Sequence, residues 1–377
     1  MCAVALIKCR TYESPAFEEA LGRAVDLLGG MGRFVQPGQK VLLKPNMLSA
    51  HPPESCICTH PSLVLAVGRL VLEAGGRLVI SDSPALDRFK RVALKSGLGE
   101  VAAELGAELV EFGRPQRVAV PDGSVFKTLE LSAQVFEADV VINLPKLKTH
   151  SQMLLTLGVK NLFGTVVAQR KAEWHAMVGL DRVVFASLLL DIHRTVNPAL
   201  TILDGVQGMD GRGPANGRPR PVGLLAASTD ALALDLTICR LLGVPLKKFP
   251  LYRAARSREL IETGLAWIQL LGDPPEDLAV DDFNIPELEA VIGVPPFLGD
   301  LMARFLVSKP VQNPTDCIEC RKCVDMCQAR AIVLKDRKLT FDYDRCIRCY
   351  CCQEVCPQDA IDFRRGPLVR ILNLLGR

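Results

Sequence analysis

The C-terminal part of the chain carries two cysteine runs, Cys317-Ile-Glu-Cys320-Arg-Lys-Cys323-Val-Asp-Met-Cys327 and Cys346-Ile-Arg-Cys349-Tyr-Cys-Cys352-Gln-Glu-Val-Cys356-Pro357. Both runs have the spacing Cys-x2-Cys-x2-Cys-x3-Cys, and each cysteine of the second run follows its counterpart by 29 residues. The residues after the runs repeat at the same interval, since Ala331-Ile332 corresponds to Ala360-Ile361. The stretch is therefore an internal duplication, which predicts a fold with pseudo-twofold symmetry.

This spacing is that of a bacterial ferredoxin with two [4Fe–4S] clusters. In such a protein the first three cysteines of a run bind one cluster, and the fourth binds the other cluster. The predicted ligands are Cys317, Cys320, Cys323 and Cys356 for the first cluster, and Cys346, Cys349, Cys352 and Cys327 for the second. Zinc is the alternative, but a zinc site needs only four ligands, so eight cysteines in this order argue against it.

Two positions depart from the usual pattern of such a module. Gln328 stands where proline is common, and Cys351 is an additional thiol beside the predicted ligand Cys352. We interpret Cys351 as a spectator rather than a ligand. Ile332 and Ile361 are expected to cover the clusters with apolar side chains.

Length and composition limit the classes of protein to which the chain can belong. Its 377 residues suggest two to three domains. The net charge of +3 gives no reason to expect nucleic acid or an anionic membrane as a partner. Apolar runs such as Val183 to Leu190 are too short for a transmembrane segment, and the apolar start lacks the basic region of a signal peptide. Since eight of the 14 cysteines are assigned to clusters, we expect a cytoplasmic protein.

The order of strand and helix patterns predicts two domains and a connector. Residues 1–272 alternate between the two patterns, which predicts an α/β fold with a mostly parallel sheet and helices on both faces. Residues 273–314 are rich in proline and acidic residues and are interpreted as a connector, and residues 315–366 as a small α+β domain of the bacterial ferredoxin type. Residues 367–377 form an amphipathic tail, which either packs on the protein or docks to a membrane or partner.

Polar residues follow four of the predicted strands in the α/β domain. The four strand ends are Lys44-Pro45-Asn46, Ser81-Asp82-Ser83-Pro84, the segment from Asn143 to His150, and Asp204-Gly205. Because ligands bind at the carboxyl ends of the strands in open parallel sheets, these residues predict a pocket at one edge of the sheet. The glycine-rich segment Gly208 to Gly217 is interpreted as a loop.

The residue types at these strand ends indicate what the pocket binds. Lys44, Lys146, Lys148 and Lys160 are predicted to neutralise a carboxylate or phosphate of an anionic small molecule, and Asp82, Asp204 and His150 to move protons or hold a metal. The alternative is that Lys146 and Lys148 are solvated at a strand end and that Asp82 and Asp204 belong to turns and caps. His60 is the second histidine candidate, and Cys56-Ile57-Cys58 is a weaker candidate for a redox pair or metal ligand. Neither a dinucleotide fingerprint nor a P-loop is present in the sequence.

Taken together, these motifs resemble those of the DUF362 family. The matching stretches are Lys44-Pro45-Asn46, Ser81-Asp82-Ser83-Pro84, Asn143 through His150, Leu157 through Gly164, and Asp204-Gly205 with Gly208-Met209-Asp210-Gly211. The resemblance covers about residues 1–240. It implies a C-terminal pair of [4Fe–4S] motifs, as this chain has, and it implies no particular substrate.

Three hypotheses for the function follow from the sequence. In the first, the chain is a soluble iron–sulfur oxidoreductase whose clusters pass electrons to a substrate or cofactor at the edge of the α/β domain. In the second, it is a non-catalytic electron carrier whose α/β domain recognises a partner. In the third, it delivers a metal or a cluster, and Cys56 and Cys58 take part. The first two require a protein partner that donates or accepts electrons.

Overall fold

The computed structural model describes residues 1–84, 87–167, 170–178, 181–286, 309–336 and 338–364. The chain divides into two compact units. The first comprises Met1–Lys171 and Arg182–Pro286, and the second comprises Ala172–Asp181 and the chain after Pro286. The predicted tail 367–377 and residues 287–308 of the predicted connector lie outside the described residues.

The first unit is built on a large sheet. The strands of this unit are β1 (Cys2–Lys8), β2 (Lys40–Pro45), β3 (Arg77–Asp82), β4 (Glu108–Glu111), β5 (Pro115–Ala119), β6 (Thr128–Ser132), β7 (Val140–Leu144), β8 (Lys146–His150), β9 (Leu154–Thr156), β10 (Leu200–Asp210), β11 (Arg218–Ser228) and β12 (Ile268–Gly272). All of them belong to the large sheet except β5 and β6, which form a separate two-stranded sheet. The order across the sheet is β12-β1-β11-β10-β7-β2-β3-β4, while β8 pairs with β10 and β9 and β5 pairs only with β6. Every pair along this order is parallel except β1–β11 and β11–β10. The predicted mostly parallel sheet is confirmed.

Helices cover both faces of this sheet, as predicted. The helices of this unit are α1 (Ala16–Asp26), α2 (Pro61–Glu73), α3 (Phe89–Lys95), α4 (Leu98–Glu104), α5 (Ala133–Phe136), α6 (Gly158–Asn161), α8 (Arg182–Val196), α9 (Ala231–Leu241) and α10 (Pro250–Ser257). The helix α7 (Arg170–Val178) begins in the first unit, and its residues from Ala172 onward belong to the second unit. Ala5 and Ile7 of β1 share a core with Phe17 of α1. Val4 and Leu6, which point to the opposite face, are also buried, and α9 packs on β1 and β11.

Local sequence explains where the helices begin and which faces they bury. In α1, Phe17, Leu21 and Ala24 are buried at helical spacing, and acidic residues in the first turn suit the helix dipole. α2 begins at Pro61, whose missing N–H is no loss at that position, after His60 has accepted a hydrogen bond from Ser62 N. Such caps satisfy backbone donors that a helix leaves unpaired at its start.

One interpretation of the sequence is wrong in the hairpin formed by β10 and β11. β10 continues to Asp210, so Asp204 lies inside a strand and Gly208–Asp210 is not part of a loop. The register shifts between Gly205 and Gln207, as it does at a β-bulge. A Cβ atom at Gly205 would lie 2.8 Å from Leu224 O, so glycine allows the two strands to approach. Gly208, the first glycine of the segment interpreted as a loop, also lies in the strand, and a Cβ atom there would lie 3.2 Å from Leu147 O. Residues 211–217 do connect β10 to β11, so the interpretation as a loop is wrong only for Gly208–Asp210.

The second unit contains a duplicated α+β module. Its elements are β13 (Lys309–Gln312), α11 (Lys322–Met326), β14 (Ile332–Lys335), β15 (Lys338–Phe341), α12 (Cys351–Glu354) and β16 (Ile361–Arg364). β13 pairs with β16 and β14 pairs with β15, both antiparallel. The strands β15 and β16 follow β13 and β14 by the 29-residue interval of the cysteines, so the duplication begins at Lys309, within the segment interpreted as the connector. Ile332 and Ile361 are buried in this module.

In the ranges that the structure describes, we find no helix with the length and apolar character needed to cross a bilayer.

Candidate functional site

Three lysines are buried among the central strands of the α/β unit. Lys44 is the next-to-last residue of β2, and Lys146 and Lys148 both lie in β8. Their exposed fractions are 1%, 0% and 0%. Because Lys146 and Lys148 are two residues apart in a strand, their side chains point to the same side. The alternative that Lys146 and Lys148 are solvated is therefore wrong.

Lys44 forms a buried ion pair with Asp82 at the end of β3. The Lys44 Nζ–Asp82 Oδ1 distance is 2.8 Å, and Nζ also donates to Pro45 O at 2.9 Å. Asp82 Oδ2 accepts a hydrogen bond from Met47 N at 2.7 Å. The pair lies against the backbone of Gly164, where a Cβ atom would come within 2.2 Å of Asp82 Oδ1 and 2.6 Å of Lys44 Nζ. The ion pair thus requires glycine at position 164.

We expect Gly164→Ala to destabilise the chain by about 1–3 kcal/mol, because the added methyl group overpacks a buried site and pushes the ion pair apart. Urea unfolding followed by circular dichroism measures the change. Gly22→Ala is the matched control, since a Cβ atom there has nothing within 4 Å and alanine favours the interior of α1. Equal stability of the two variants would contradict the proposed contact.

Lys146 and Asp204 form a second ion pair, which includes an aromatic stack. The Lys146 Nζ–Asp204 Oδ2 distance is 2.9 Å, and both side chains are fully buried. Tyr12 accepts a hydrogen bond from Lys146 Nζ at 2.9 Å and donates one to Asp204 Oδ1 at 2.5 Å. His60 N donates to Asp204 Oδ2 at 2.8 Å, and the His60 ring stacks on Tyr12 with centroids 3.5 Å apart. Burial and the Asp204 carboxylate raise the pKa of Tyr12 above its ordinary value, so the phenol stays protonated.

Tyr12 is the residue of this site that sequence reasoning missed. It lies between Thr11 and Glu13 in the segment after β1, where no motif or periodic pattern marks it. Its partner Asp204 is 192 residues away in the sequence. A single sequence offers no signal for such a contact, because both residues are common in surface loops.

Lys148 differs from the other two lysines because its partners are neutral. Its Nζ donates to Asn46 Oδ1 at 3.0 Å and to Ile57 O at 2.6 Å. The pKa of Lys148 is lowered from 10.5 to about 7. Burial is the largest cause, and the charges of Lys160 and Lys146 act in the same direction, while Cys58 and Asp82 act in the opposite direction. Near neutral pH the amine therefore exchanges readily between its charged and neutral forms.

The low pKa of Lys148 predicts a pH-dependent stability. Between about pH 7 and 9 the unfolded chain keeps the proton on this amine while the folded chain loses it, so its contribution to stability rises with pH. The free energy of unfolding of the native chain, minus that of Lys148→Met, should increase by up to about 1.4 kcal/mol per pH unit in this window. Urea titrations at several pH values measure the difference. A difference independent of pH would rule out the shifted pKa.

A chain of asparagine side chains connects Lys148 to the segment near Lys44. Asn46 Nδ2 donates to Asn161 Oδ1 at 3.0 Å, and Asn161 Nδ2 donates to Asn143 Oδ1 at 2.8 Å and to Lys44 O at 3.2 Å. Asn143 Nδ2 donates in turn to Gly158 O at 2.9 Å. These bonds fix the orientation of each amide, so Asn46 presents its oxygen to Lys148. The strand ends predicted to meet are therefore joined by direct contacts.

The remaining predicted residues have different surroundings. The Lys160 amine lies over the rings of Phe163 and Phe185, 5.5 Å and 5.7 Å from their centroids. His150 Nδ1 accepts hydrogen bonds from the backbone of Gln152 and Met153, at 3.1 Å and 3.3 Å, which stabilise the turn between β8 and β9. A catalytic role for either residue stays a prediction.

Cys56 and Cys58 are both buried and hydrogen-bonded to different groups. Cys56 Sγ donates to Gln207 Oε1 at 3.7 Å, and Cys58 Sγ donates to Ser49 O at 3.4 Å. Burial raises the pKa of both thiols, which keeps them protonated. Among the described residues, no three His, Cys, Asp or Glu side chains are grouped to hold a single metal ion.

In the second unit, the eight predicted cysteine ligands line two separate cavities. One cavity is lined by Cys317, Cys320, Cys323 and Cys356, and the other by Cys327, Cys346, Cys349 and Cys352. Cys351 also lines the second cavity. Each cavity thus receives three cysteines from one run and the fourth from the other run, the grouping predicted from the spacing. The thiols surround a space, as a four-iron cluster requires, instead of converging on one point.

The backbone around these cysteines suits iron–sulfur clusters. Glu319 and Arg321 have positive φ values of 56° and 63°, and their counterparts Arg348 and Tyr350 have 54° and 63°, which wraps each loop around its cavity. Ala331 N donates to Cys327 Sγ at 3.3 Å, and the equivalent Ala360 N donates to Cys356 Sγ at 3.2 Å. Hydrogen bonds to the sulfurs are among the features that tune iron–sulfur clusters. The residues present therefore fit the group.

A large α/β domain with buried ion pairs, followed by a duplicated cysteine module, defines an iron–sulfur protein with a ferredoxin-type domain. The chain belongs to the family described as domain of unknown function DUF362, whose model matches residues 41–240. A 4Fe-4S dicluster domain matches residues 316–360. The expected family and the C-terminal position of the ferredoxin-type domain are confirmed.

Three known proteins are similar to the chain. A thylakoid-associated protein of Synechocystis, sll1697, is 40% identical over 307 residues, which cover 81% of this chain and 95% of that protein. The lactate racemase apoprotein of Thermoanaerobacterium thermosaccharolyticum matches with a TM-score of 0.40 and 12% identity, covering 62% of this chain and 55% of that structure. A protein of Thermotoga maritima matches with a TM-score of 0.35 and 12% identity, covering 66% of this chain and 60% of that structure. The two structural similarities are too weak to carry a functional argument.

Proposed function

We propose that the protein is an iron–sulfur oxidoreductase that transfers electrons to an anionic substrate or cofactor bound by the buried lysines of the α/β unit. Two [4Fe–4S] clusters supply one-electron chemistry, each held by the four cysteines that line one cavity. An electron-donor protein reduces the clusters. The observation that carries the proposal is Lys148, a buried amine held by neutral oxygens beside two lysines that are already paired.

An anion would remove the electrostatic cost of this arrangement. The protonated amine of Lys148 is buried without a carboxylate partner among the described residues, and a buried charge is costly unless it is paired. A carboxylate or phosphate near Lys148 supplies the missing negative charge and raises the pKa of the amine. The Lys44–Asp82 and Lys146–Asp204 pairs hold neighbouring amines in fixed positions, where they attract the same anion.

Tyr12 and His60 are the proposed point of entry to this site. Both side chains are only half-buried, whereas the lysines behind them are fully buried. Movement of their stacked rings opens a path to Lys146. Once the rings close again, water is excluded, and the charges around the bound anion act in a medium of low dielectric.

We propose that the protein acts in the cytoplasm. The thylakoid association of the Synechocystis relative supports a partner located at a membrane for this chain as well. Cell fractionation before and after a salt wash tests whether the protein is cytoplasmic and held at a membrane only by a partner. If the protein left the membrane fraction only after detergent treatment, the proposed cytoplasmic location would be wrong.

The experiment that tests the proposed function is native mass spectrometry of the full chain purified without oxygen. We expect a small anion bound to the native chain and lost from Lys148→Gln. Lys248→Gln is the matched control, because Lys248 is an exposed lysine 100 positions after Lys148. This control variant should retain the anion. The same variants are then compared for oxidation of their dithionite-reduced clusters by extracts containing the anion.

The alternative function is that of a non-catalytic electron carrier, which the complete burial of the three lysines favours. In that case the ion pairs serve only the fold, no anion is bound, and Lys148→Gln exchanges electrons with a partner as fast as the native chain. Metal or cluster delivery requires Cys56 and Cys58. Replacing both by alanine without any change in metal content would exclude delivery.

A further inference from the structure

The two cysteine runs carry opposite charges at equivalent positions. Glu319 lies between Cys317 and Cys320, and Arg348 lies at the same place between Cys346 and Cys349. Their φ values, 56° and 54°, are nearly the same, and each residue lines the cavity of its own run. Because the backbone is equivalent, the two cavities differ here chiefly in the sign of the neighbouring charge.

Arg330 and Asp359 are a second pair of equivalent positions with opposite charges, and they place the same sign of charge at each cavity as the first pair. Arg330 directly follows Gln328 and Ala329, which line the same cavity as Arg348. Asp359 lies between Gln358 and Ala360, which line the same cavity as Glu319. The φ values of Arg330 and Asp359 are 49° and 50°. The cross-over of the fourth cysteine places each of these residues beside the cluster of the opposite run. Both pairs therefore put positive charge at one cavity and negative charge at the other.

Burial makes Arg348 the strongest of these charges. Its exposed fraction is 8%, and in the described part of the chain its Nε atom is buried without a hydrogen-bond partner. Arg321 lines the same cavity as Glu319 and carries the opposite charge, but it is exposed, so water and salt screen its charge. Its counterpart in the second run is the uncharged, buried Tyr350. Because Arg348 has no carboxylate partner among the residues that the structure describes, its buried guanidinium acts on whatever occupies the cavity that it lines.

We infer that Arg348 and Glu319 give the two clusters different reduction potentials and so fix the direction of electron transfer within the module. The inference rests on the proposed pair of clusters. Adding an electron makes a cluster more negative, so Arg348 favours reduction beside it and Glu319 disfavours reduction beside it. Burial alone acts against reduction at the Arg348 cavity, but the same low dielectric strengthens the attraction of the guanidinium.

The resulting step is the movement of one electron between the clusters. A low-potential one-electron donor would reduce the cluster that Cys317, Cys320, Cys323 and Cys356 would hold. That cluster would then lose one electron to the cluster that Cys346, Cys349, Cys352 and Cys327 would hold, with no proton transferred. The second cluster is therefore the one from which electrons leave the module.

Redox titration of the full chain, purified without oxygen and followed by electron paramagnetic resonance, tests this inference. We expect two one-electron midpoints in the native chain. Arg348→Gln should lower the upper midpoint, and Glu319→Gln should raise the lower one. Each change should decrease the equilibrium constant for electron exchange by about tenfold, which equals about 59 mV for a one-electron couple.

Two variants serve as controls for charge and for position. Arg348→Lys keeps the positive charge and should leave the separation of the midpoints close to that of the native chain. Arg345→Gln removes an exposed arginine that does not line either cavity, so screening should make its effect small. If Arg348→Gln does not retain its iron, Glu319→Gln carries the test alone.

Failure of the inference and failure of the proposed function give different results. If Arg348→Gln and Glu319→Gln keep about eight iron atoms each and the separation does not change, the inference is wrong while two clusters remain. If the native chain contains about four iron atoms and one redox couple, the proposed pair of clusters is wrong, and the inference falls with it.

Discussion

Cys352→Ser is expected to lower the iron content of the anaerobically purified chain from about eight atoms to about four. Cys352 lines the cavity that also receives Cys327, Cys346 and Cys349, and a cluster that loses one of four thiolates is no longer held by the full set. The other cavity keeps all four of its cysteines. Iron and sulfide analysis, together with the visible absorption of the cluster, measures the effect.

Cys351→Ser is the matched control for this experiment. Cys351 is adjacent to Cys352 and is more deeply buried, but its Sγ atom lies 3.7 Å from Cys349 O, to which it donates a hydrogen bond. We expect this variant to retain all of its iron. The ligand assignment would be wrong if the two variants exchanged behaviour, so that serine at Cys351 removed iron and serine at Cys352 did not.

Asp204→Asn is expected to have the largest effect on stability, a loss of about 3–5 kcal/mol in the free energy of unfolding, because it leaves the buried Lys146 without a counter-charge. The carboxylate also accepts hydrogen bonds from Tyr12 OH and His60 N, so its loss disturbs the stacked pair as well. Urea unfolding of the full chain followed by circular dichroism measures the loss.

Two comparisons separate the ion pair from a general effect of substitution. Glu104→Gln removes an exposed carboxylate 2.8 Å from Arg69 and should have little effect, because water screens that pair. The double variant Lys146→Met with Asp204→Leu removes both buried charges and should recover much of the lost stability. If Asp204→Asn were as stable as Glu104→Gln, the buried pair would have no measurable role in the fold.

The fold was largely predictable because its signals are local. The alternation of strand and helix patterns predicts a mostly parallel sheet, and apolar spacing such as that of Phe17, Leu21 and Ala24 predicts which helix face is buried. The extension of β10 to Asp210 was not predictable, because Gly205 and Gly208, which lie in the strand, look like loop residues in a sequence. The same residue type serves both purposes, and only the partner strand distinguishes them.

The candidate site was predictable in its residue types but not in its pairing. Strand-end position indicates Lys44, Asp82, Lys146, Lys148 and Asp204, because parallel strands bring their carboxyl ends to one edge. It does not indicate that Lys44 pairs with Asp82 and Lys146 with Asp204, which leaves Lys148 with neutral oxygens. Under the proposed function, that difference makes Lys148 the lysine that an anion would pair with.

The cysteine module can be recognised from the sequence alone, because the predicted ligands of each run are separated by only two or three residues and the 29-residue duplication repeats them. The sequence also determined the charges of Glu319 and Arg348 at equivalent positions. The burial of Arg348 at its cavity, and the hydrogen bond from Tyr12 to Asp204, 192 residues away in the chain, become visible in the folded chain alone. The physical reason is that burial and long-range pairing depend on which distant segments pack together, and spacing along the chain does not record that.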